Sequence, residues 1–345
     1  MSDQLPGLEL EAVSAALARH LPHGEPPFRY ELIAAGGSNL TFRVTDSGGR
    51  QYALRRPPAA PTLPTAHDVE REWRILAALA QSTVPVPAVL WFCHDPEVTG
   101  APFYVMDFVD GIVLRTSSDG AALSAAEAER ATSSLIETQI RFHTVDLAEV
   151  GLADLGRHDD YVGRQLKRWR LQVERADARP TPLLTELHDR LARAQPPERL
   201  PAGLAHGDYR FDNTILGPDH TVAAVLDWEL CTTGDPLADF AWSLQYWADP
   251  DDPVTFLPDP PTTPDVFCRR REVAERYAGL TGTDLADLDY YTVFSWWKQA
   301  CIVEGVYARR LLGSRGGADS GDPATIAQKA DQLGERAAEL ARGVI

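Results

Sequence analysis

The chain has 345 residues, 44% of them hydrophobic, and carries 33 Lys and Arg against 50 Asp and Glu, a formal charge of −17. This suffices for one large domain or two ordinary ones, while the acidity repels phosphate backbones and anionic lipid with no basic patch to reverse it. Nucleic acid and membranes are thus not expected partners, no stretch approaches the ~18 uninterrupted apolar residues of a bilayer span, and Cys93, Cys231, Cys268 and Cys301 are too dispersed for a zinc or redox site.

The N-terminal MSDQLPGLELEAVSAALARHLP has acidic residues and a short amphipathic pattern where a secretory signal needs a basic start and an apolar block. Together with free thiols suited to a reducing compartment, this predicts a cytoplasmic protein. Residues 28–56 offer short apolar runs broken by GGSN and DSGGR, which predicts three strands joined by tight turns. A helix is expected from about His67 to Ala80, then strands in VPVPAVLWF and PFYVMDFV.

From Ser124 the pattern becomes helical. SAAE reads as a capping box ahead of a helix to about His143, and helices follow near 159–176 and 182–194. LAHGDYRFDNTIL and HTVAAVLDWE interrupt them as short hairpin-like strands, and helices resume to the C-terminus. The shift places a boundary near Asp110 and Gly111. PPAAPTLP and DPDDPVTFLPDPPTTPD read as loops.

His206, Asp208 and Asn213 fall at H-x-D-x-x-x-x-N, the spacing of a kinase catalytic loop in which Asp accepts a hydroxyl proton and Asn holds magnesium. AAVLDWE follows, with Asp227 where the apolar run ends, as a second metal-binding carboxylate requires. Phosphoryl transfer also needs a cation on the nucleotide. The lysines (Lys167, Lys298, Lys329) all lie beyond the boundary, so that cation must be arginine. In YALRR, strand alternation sets Ala53 and Arg55 on one face, making Arg55 the candidate and Arg56 its exposed neighbour. Glu72 lies within the apolar stripe Val69, Trp73, Leu76 and Leu79, where it must reach a polar edge or meet a cation such as Arg55. Gly36 and Gly37 permit close backbone approach to phosphate, with Ser38 and Asn39 as further donors. The backbone of Asp107, Phe108 and Val109 is placed to hydrogen-bond an adenine edge.

GGSNLTFRV, YALRRPP, DVEREWRIL, PFYVMDFVDG, HGDYRFDN, VLDWELCTTGDPLADFAW and EGVYARRL together resemble the aminoglycoside phosphotransferase and choline kinase-like superfamily. Within it they are most similar to the kinase-like domain fused to some acyl-CoA dehydrogenases. The resemblance covers nearly the whole chain. It implies an α+β, two-lobed protein-kinase-like fold, with an antiparallel sheet and one helix in residues 1–109 as nucleotide-binding lobe and a mainly helical catalytic and substrate-binding lobe in 110–345. It further implies ATP with magnesium, transfer of the γ-phosphoryl group to a hydroxyl, Asp208 as base, Asn213 and Asp227 as metal ligands, and Glu72 supporting Arg55. Arginine at position 55 departs from the lysine of the wider superfamily.

Seven residues separate Asp227 from Asp235, too few for a segment that docks a peptide, so a small-molecule acceptor is expected. A hydroxyacyl compound is the subfamily's suggestion. An amino-sugar acceptor and a catalytically silent nucleotide-binding module are the alternatives. The aromatics of YYTVFSWWKQACIVEGVYARRLL are expected in the core, and Asp239 is expected to satisfy buried polar groups near the active loop.

Overall fold

The computed structural model describes residues 5–35, 39–58, 68–311 and 322–345. One unit holds the described residues up to Gly111 together with Ala223–Glu229; the other holds Ile112–Val222 and the described residues from Leu230 onward.

The first unit contains α1 (Leu10–His20), β1 (Arg29–Ala35), β2 (Leu40–Thr45), β3 (Gln51–Arg56), α2 (Val69–Leu79), β4 (Val89–Cys93), α3 (Pro96–Thr99) and β5 (Phe103–Asp107). Its strands make one antiparallel sheet in the order β1-β2-β3-β5-β4. The β2–β3 turn follows from DSGGR: Gly49 takes a φ of +87°, and the Asp46 carboxylate accepts the Arg50 N–H at 2.8 Å. Period-2 alternation then decides which side chains are buried together. Phe42, Val44, Tyr52, Leu54, Phe103 and Val105 join one core with Val13 and Leu17 of α1, the amphipathic N-terminal pattern realised as a helix.

Arg56 corrects a sequence expectation. It is 2% exposed, not the exposed neighbour of Arg55, because its face of β3 is covered, and its guanidinium donates to the carbonyls of Pro57 (3.0 Å) and Thr99 (3.1 Å). Gly7 leaves room for it: a Cβ there would lie 2.3 Å from Arg56 Nη1.

In chain order the second part runs α4 (Ser117–Ala121), α5 (Ala125–His143), α6 (Tyr161–Ala176), α7 (Pro182–Arg193), β6 (Gly203–Ala205), β7 (Thr214–Leu216), β8 (Val222–Val225), β9 (Thr232–Gly234), α8 (Pro236–Leu244), α9 (Arg270–Thr281), α10 (Leu288–Leu311) and α11 (Pro323–Ala341). Within β8 the chain leaves the second unit for the first. Ser124 and Glu127 form the expected capping box of α5, and Asp235 caps α8 with Pro236 in its first turn. α10 packs against α6, α7, α8 and α11 and buries Tyr290, Tyr291, Phe294, Trp296 and Trp297, so these aromatics are core as expected. Residues 249–265 carry neither helix nor strand. The α+β expectation of an antiparallel sheet followed by a mainly helical part holds. Among the described residues no helix is long and apolar enough to cross a membrane.

Candidate active site

In the first unit, alternation along β3 turns Arg55 away from Tyr52 and Leu54, and the period of α2 puts Glu72 on that helix's buried face. Arg55 Nε donates to Glu72 Oε2 at 2.8 Å, and Arg55 Nη2 donates to Asp227 Oδ1 at 2.6 Å. Burial opposes the Arg55 charge, but Glu72, Tyr104 and Asp227 outweigh it and hold the guanidinium firmly protonated. Burial lifts the Glu72 carboxyl above its ordinary range, and the Arg55 charge restrains that rise. Asp227 has a φ of +64°, an uncommon region for a residue with a side chain and one that often marks a functional constraint.

In the second unit, β6 delivers the chain into a loop fixed from beneath. Asp239, 1% exposed on α8, accepts the N–H groups of Gly207 (2.8 Å) and His206 (3.2 Å) and lies 3.0 Å from His143 Nε2. His143 Nδ1 in turn lies 2.9 Å from the Tyr277 hydroxyl. Burial works against Asp239 ionisation, but the His143 bond and the Gly207 N–H hold its carboxyl below the usual range. Glycine is required at 207 by a φ of +83° and by the Leu230 carbonyl oxygen, 3.1 Å from where a Cβ would sit.

Asp208 projects from this fixed loop with its side chain 20% exposed. Its Oδ1 accepts the Tyr246 hydroxyl at 2.6 Å and its Oδ2 accepts Asn213 Nδ2 at 2.9 Å, with Arg210 Nε at 3.3 Å. Asn213 Nδ2 also reaches the Asp208 carbonyl at 2.8 Å. Burial, reinforced by Asp208, drives the Tyr246 hydroxyl well above its ordinary pKa, so it remains a donor. Such an arrangement holds one carboxylate in a single orientation while leaving it reachable by a hydroxyl.

The profile of the phosphotransferase enzyme family matches residues 29–259. The chain belongs to that family. Acyl-CoA dehydrogenase family member 11 of Gallus gallus is 35% identical over 325 residues, covering 90% of this chain and 40% of that protein. This chain thus spans well under half of that relative. The crystal structure of a candidate aminoglycoside phosphotransferase of Ralstonia eutropha is 30% identical with a TM-score of 0.80, covering 97% of this chain and 98% of that one. At 14% identity the aminoglycoside phosphotransferase APH(4)-Ia, solved with ADP and hygromycin B, shares the fold, with a TM-score of 0.60 over 89% of this chain and 93% of that one.

Other residues anticipated for this family member are placed unevenly. Gly36, Gly37 and Ser38 lie outside the described residues. Asn39 is buried and its Nδ2 donates to Glu229 Oε2 at 3.4 Å. Ala53 is buried and pairs across the sheet with Met106. The Asp107 N–H donates to the Ala88 carbonyl at 2.9 Å and so is not available to an adenine edge, because β5 continues through this residue. Phe108 stacks beneath the Arg43 guanidinium at 4.8 Å, and Val109 is half-buried beyond it. Asp239 satisfies buried groups as expected.

Sequence reasoning missed Tyr246, His143 and Lys298. The first two carry no local signal, since their partners are distant in the chain. Lys298 did carry one: a single cation inside the apolar aromatic run of α10.

Proposed function

We propose that this phosphotransferase-family protein is a small-molecule kinase that transfers the γ-phosphoryl group of ATP to a hydroxyl, with Asp208 as base. In this reaction Asp208 takes the hydroxyl proton, the freed oxygen bonds to the γ-phosphorus, and the bond to the β–γ bridging oxygen breaks to leave ADP. The observation that carries the reading is the three-donor grip of Tyr246, Asn213 and Arg210 on a partly exposed carboxylate. The ADP complex of a fold relative is in keeping with it.

Asn213 and Asp227 suit magnesium, a hard cation that takes oxygen donors and is commonly held by one or two carboxylates plus substrate phosphates. Asn213 uses its nitrogen toward Asp208 and Asp227 uses Oδ1 toward Arg55, so each keeps an oxygen without a partner among the described residues. Bound magnesium would neutralise charge on the β- and γ-phosphates. Arg55, braced by Glu72, is assigned to the nucleotide phosphates; Gly36, Gly37, Ser38 and Asn39 to the phosphate-covering turn; Ala53, Asp107, Phe108 and Val109 to the base. For Asp107 only the carbonyl can serve.

A hydroxyacyl acceptor is supported by the relatives named as acyl-CoA dehydrogenase family members. An amino-sugar acceptor is the second reading, favoured by the 30% identity to the Ralstonia eutropha structure. Magnesium-dependent ADP release, measured across hydroxyacyl, choline-like and aminoglycoside acceptors, tests both. Turnover with one class that collapses in Asp208→Asn is expected; equal turnover by the variant removes Asp208 as base, and failure to bind nucleotide removes the kinase reading.

A further inference from the structure

The interior of the second unit holds a cation with no directly bonded counter-charge among the described residues. Lys298, at the middle of α10, is only 7% exposed, yet among the described residues its ammonium meets no carboxylate and no carbonyl. What it does meet is the face of Trp242, 3.8 Å from the ring centroid. Lysine is almost never buried unless paired, because removing an ammonium from water costs several kcal/mol that a ring face offsets only in part. Other buried charges in this unit are answered: Asp239 by His143 and two backbone N–H groups, Glu304 by Arg179 at 2.7 Å, and Asp235 by the Tyr291 hydroxyl at 2.6 Å.

A second donor at the same place also lacks an acceptor. Trp242 Nε1 is buried and makes no hydrogen bond among the described residues, although buried indole N–H groups ordinarily find one. The ring that carries it stands edge-on to Tyr246, with centroids 6.0 Å apart, and the Tyr246 hydroxyl is the group bonded to Asp208. An unanswered ammonium and an unanswered N–H therefore sit one aromatic ring from the carboxylate proposed as base. Burial and Arg168 oppose the Lys298 charge, while Asp239 and Asp208 both favour it at a distance.

We infer that Lys298 and Trp242 bind an anionic group of the acceptor, a carboxylate or a phosphate monoester, while the acceptor's hydroxyl lies at Asp208. The role of the hydroxyl rests on the kinase reading; the anion site itself does not. An anion completes what the protein leaves open, by a charge-assisted hydrogen bond to Lys298 and an acceptor oxygen for Trp242. A polyamine acceptor would bring like charge to the same place. The acceptor is therefore a hydroxylated acid or a phosphorylated hydroxy compound, not an aminated sugar.

The test is calorimetric titration of the full chain, without nucleotide, using matched probes. Hydroxy acids from glycolate to hydroxyhexanoate, each against its amide, form the carboxylate arm; glycerol phosphate against glycerol forms the phosphate arm. At least one anionic member is expected to bind about tenfold or more tighter than its neutral match. That preference should vanish in Lys298→Met and weaken in Trp242→Phe, which keeps the ring and removes the N–H. Equal binding within every pair, or a preference retained by Lys298→Met, overturns the inference. Should Lys298→Met not fold, the matched pairs on the unaltered protein and Trp242→Phe decide it. Magnesium-ATP is titrated separately: its failure to bind would remove the kinase reading and leave the anion site judged by the matched pairs alone.

Discussion

Arg55 places Nη2 2.6 Å from Asp227 Oδ1 while its Nε stays 2.8 Å from Glu72 Oε2, so one guanidinium spans two carboxylates. A lysine ammonium is a point donor and lacks the planar fork that holds both at once. The arginine at 55 thus has a geometric role in keeping Asp227 beside the sheet. Arg55→Met should destabilise the protein by about 3 kcal/mol or more, because Glu72, 2% exposed, would be left buried and uncompensated. Arg55→Met combined with Glu72→Met should recover most of that loss, since an apolar pair of similar volume needs no counter-charge. Urea unfolding of the two variants checks both, and equal losses would show that the pair is not what couples them.

Asp208→Asn should lower turnover by about 10²–10⁴-fold, the usual worth of a positioned base, with nucleotide affinity kept. Tyr246→Phe removes the donor at 2.6 Å from Asp208 Oδ1 and should lower kcat about tenfold, chiefly by loosening the carboxylate. Chelation of magnesium should abolish turnover and its return restore it. Steady-state kinetics with separately measured nucleotide binding discriminates these effects; a Tyr246→Phe effect confined to KM would assign that hydroxyl to acceptor binding instead.

What could be read from the sequence follows the range over which each contact is set. The Arg55 and Glu72 pair was legible because strand alternation and helix period each act over a few residues, and an acid inside an apolar stripe demands a cation. Asp208 and Asn213 were legible because they are five residues apart and their spacing is itself the constraint. Tyr246 reaches Asp208 across 38 residues and His143 reaches Asp239 across 96, so only tertiary packing brings them together. Arg56 was misjudged for the same reason: alternation gives its face of β3, not whether another element covers that face.

Asp239, which fixes the loop by accepting the His206 and Gly207 N–H groups, contributes stability that depends on pH. Asp239 has its carboxyl held below the ordinary 3.8, so the folded state keeps it ionised where the unfolded chain would take up a proton. Its stabilisation is then fully present above pH 3.8 and is lost as pH falls through the lower folded value. Asp239→Asn should cost about 2–3 kcal/mol at neutral pH by removing the ionised acceptor of the His206 and Gly207 N–H groups, and the gap to the unaltered protein should narrow below about pH 4. Thermal unfolding of both proteins across acid pH measures it. A gap constant with pH would mean that packing, not charge, is lost in the variant.

Lys298 has the opposite linkage. Burial lowers its pKa from 10.5 to about 8, so between those values the unfolded chain binds more protons than the folded one and stability rises with pH. The penalty is complete below about pH 8 and disappears towards pH 10.5. At about 1.4 kcal/mol per pH unit over that window it amounts to at most about 3–4 kcal/mol. Lys298→Met keeps the length of the stem and removes the charge, so it should raise the melting temperature at pH 7, with a gain that shrinks steadily through the alkaline window. Asp208, Asp239 and Arg168, which act on the same ammonium, are unchanged in the variant, so the slope of the difference reports Lys298 alone. A stabilising substitution at a buried position is the expected mark of a residue retained for binding and not for folding. If Lys298→Met instead lowers the melting temperature at pH 7 and the loss does not change with pH, the ammonium is answered within the fold and has no vacancy to offer an acceptor.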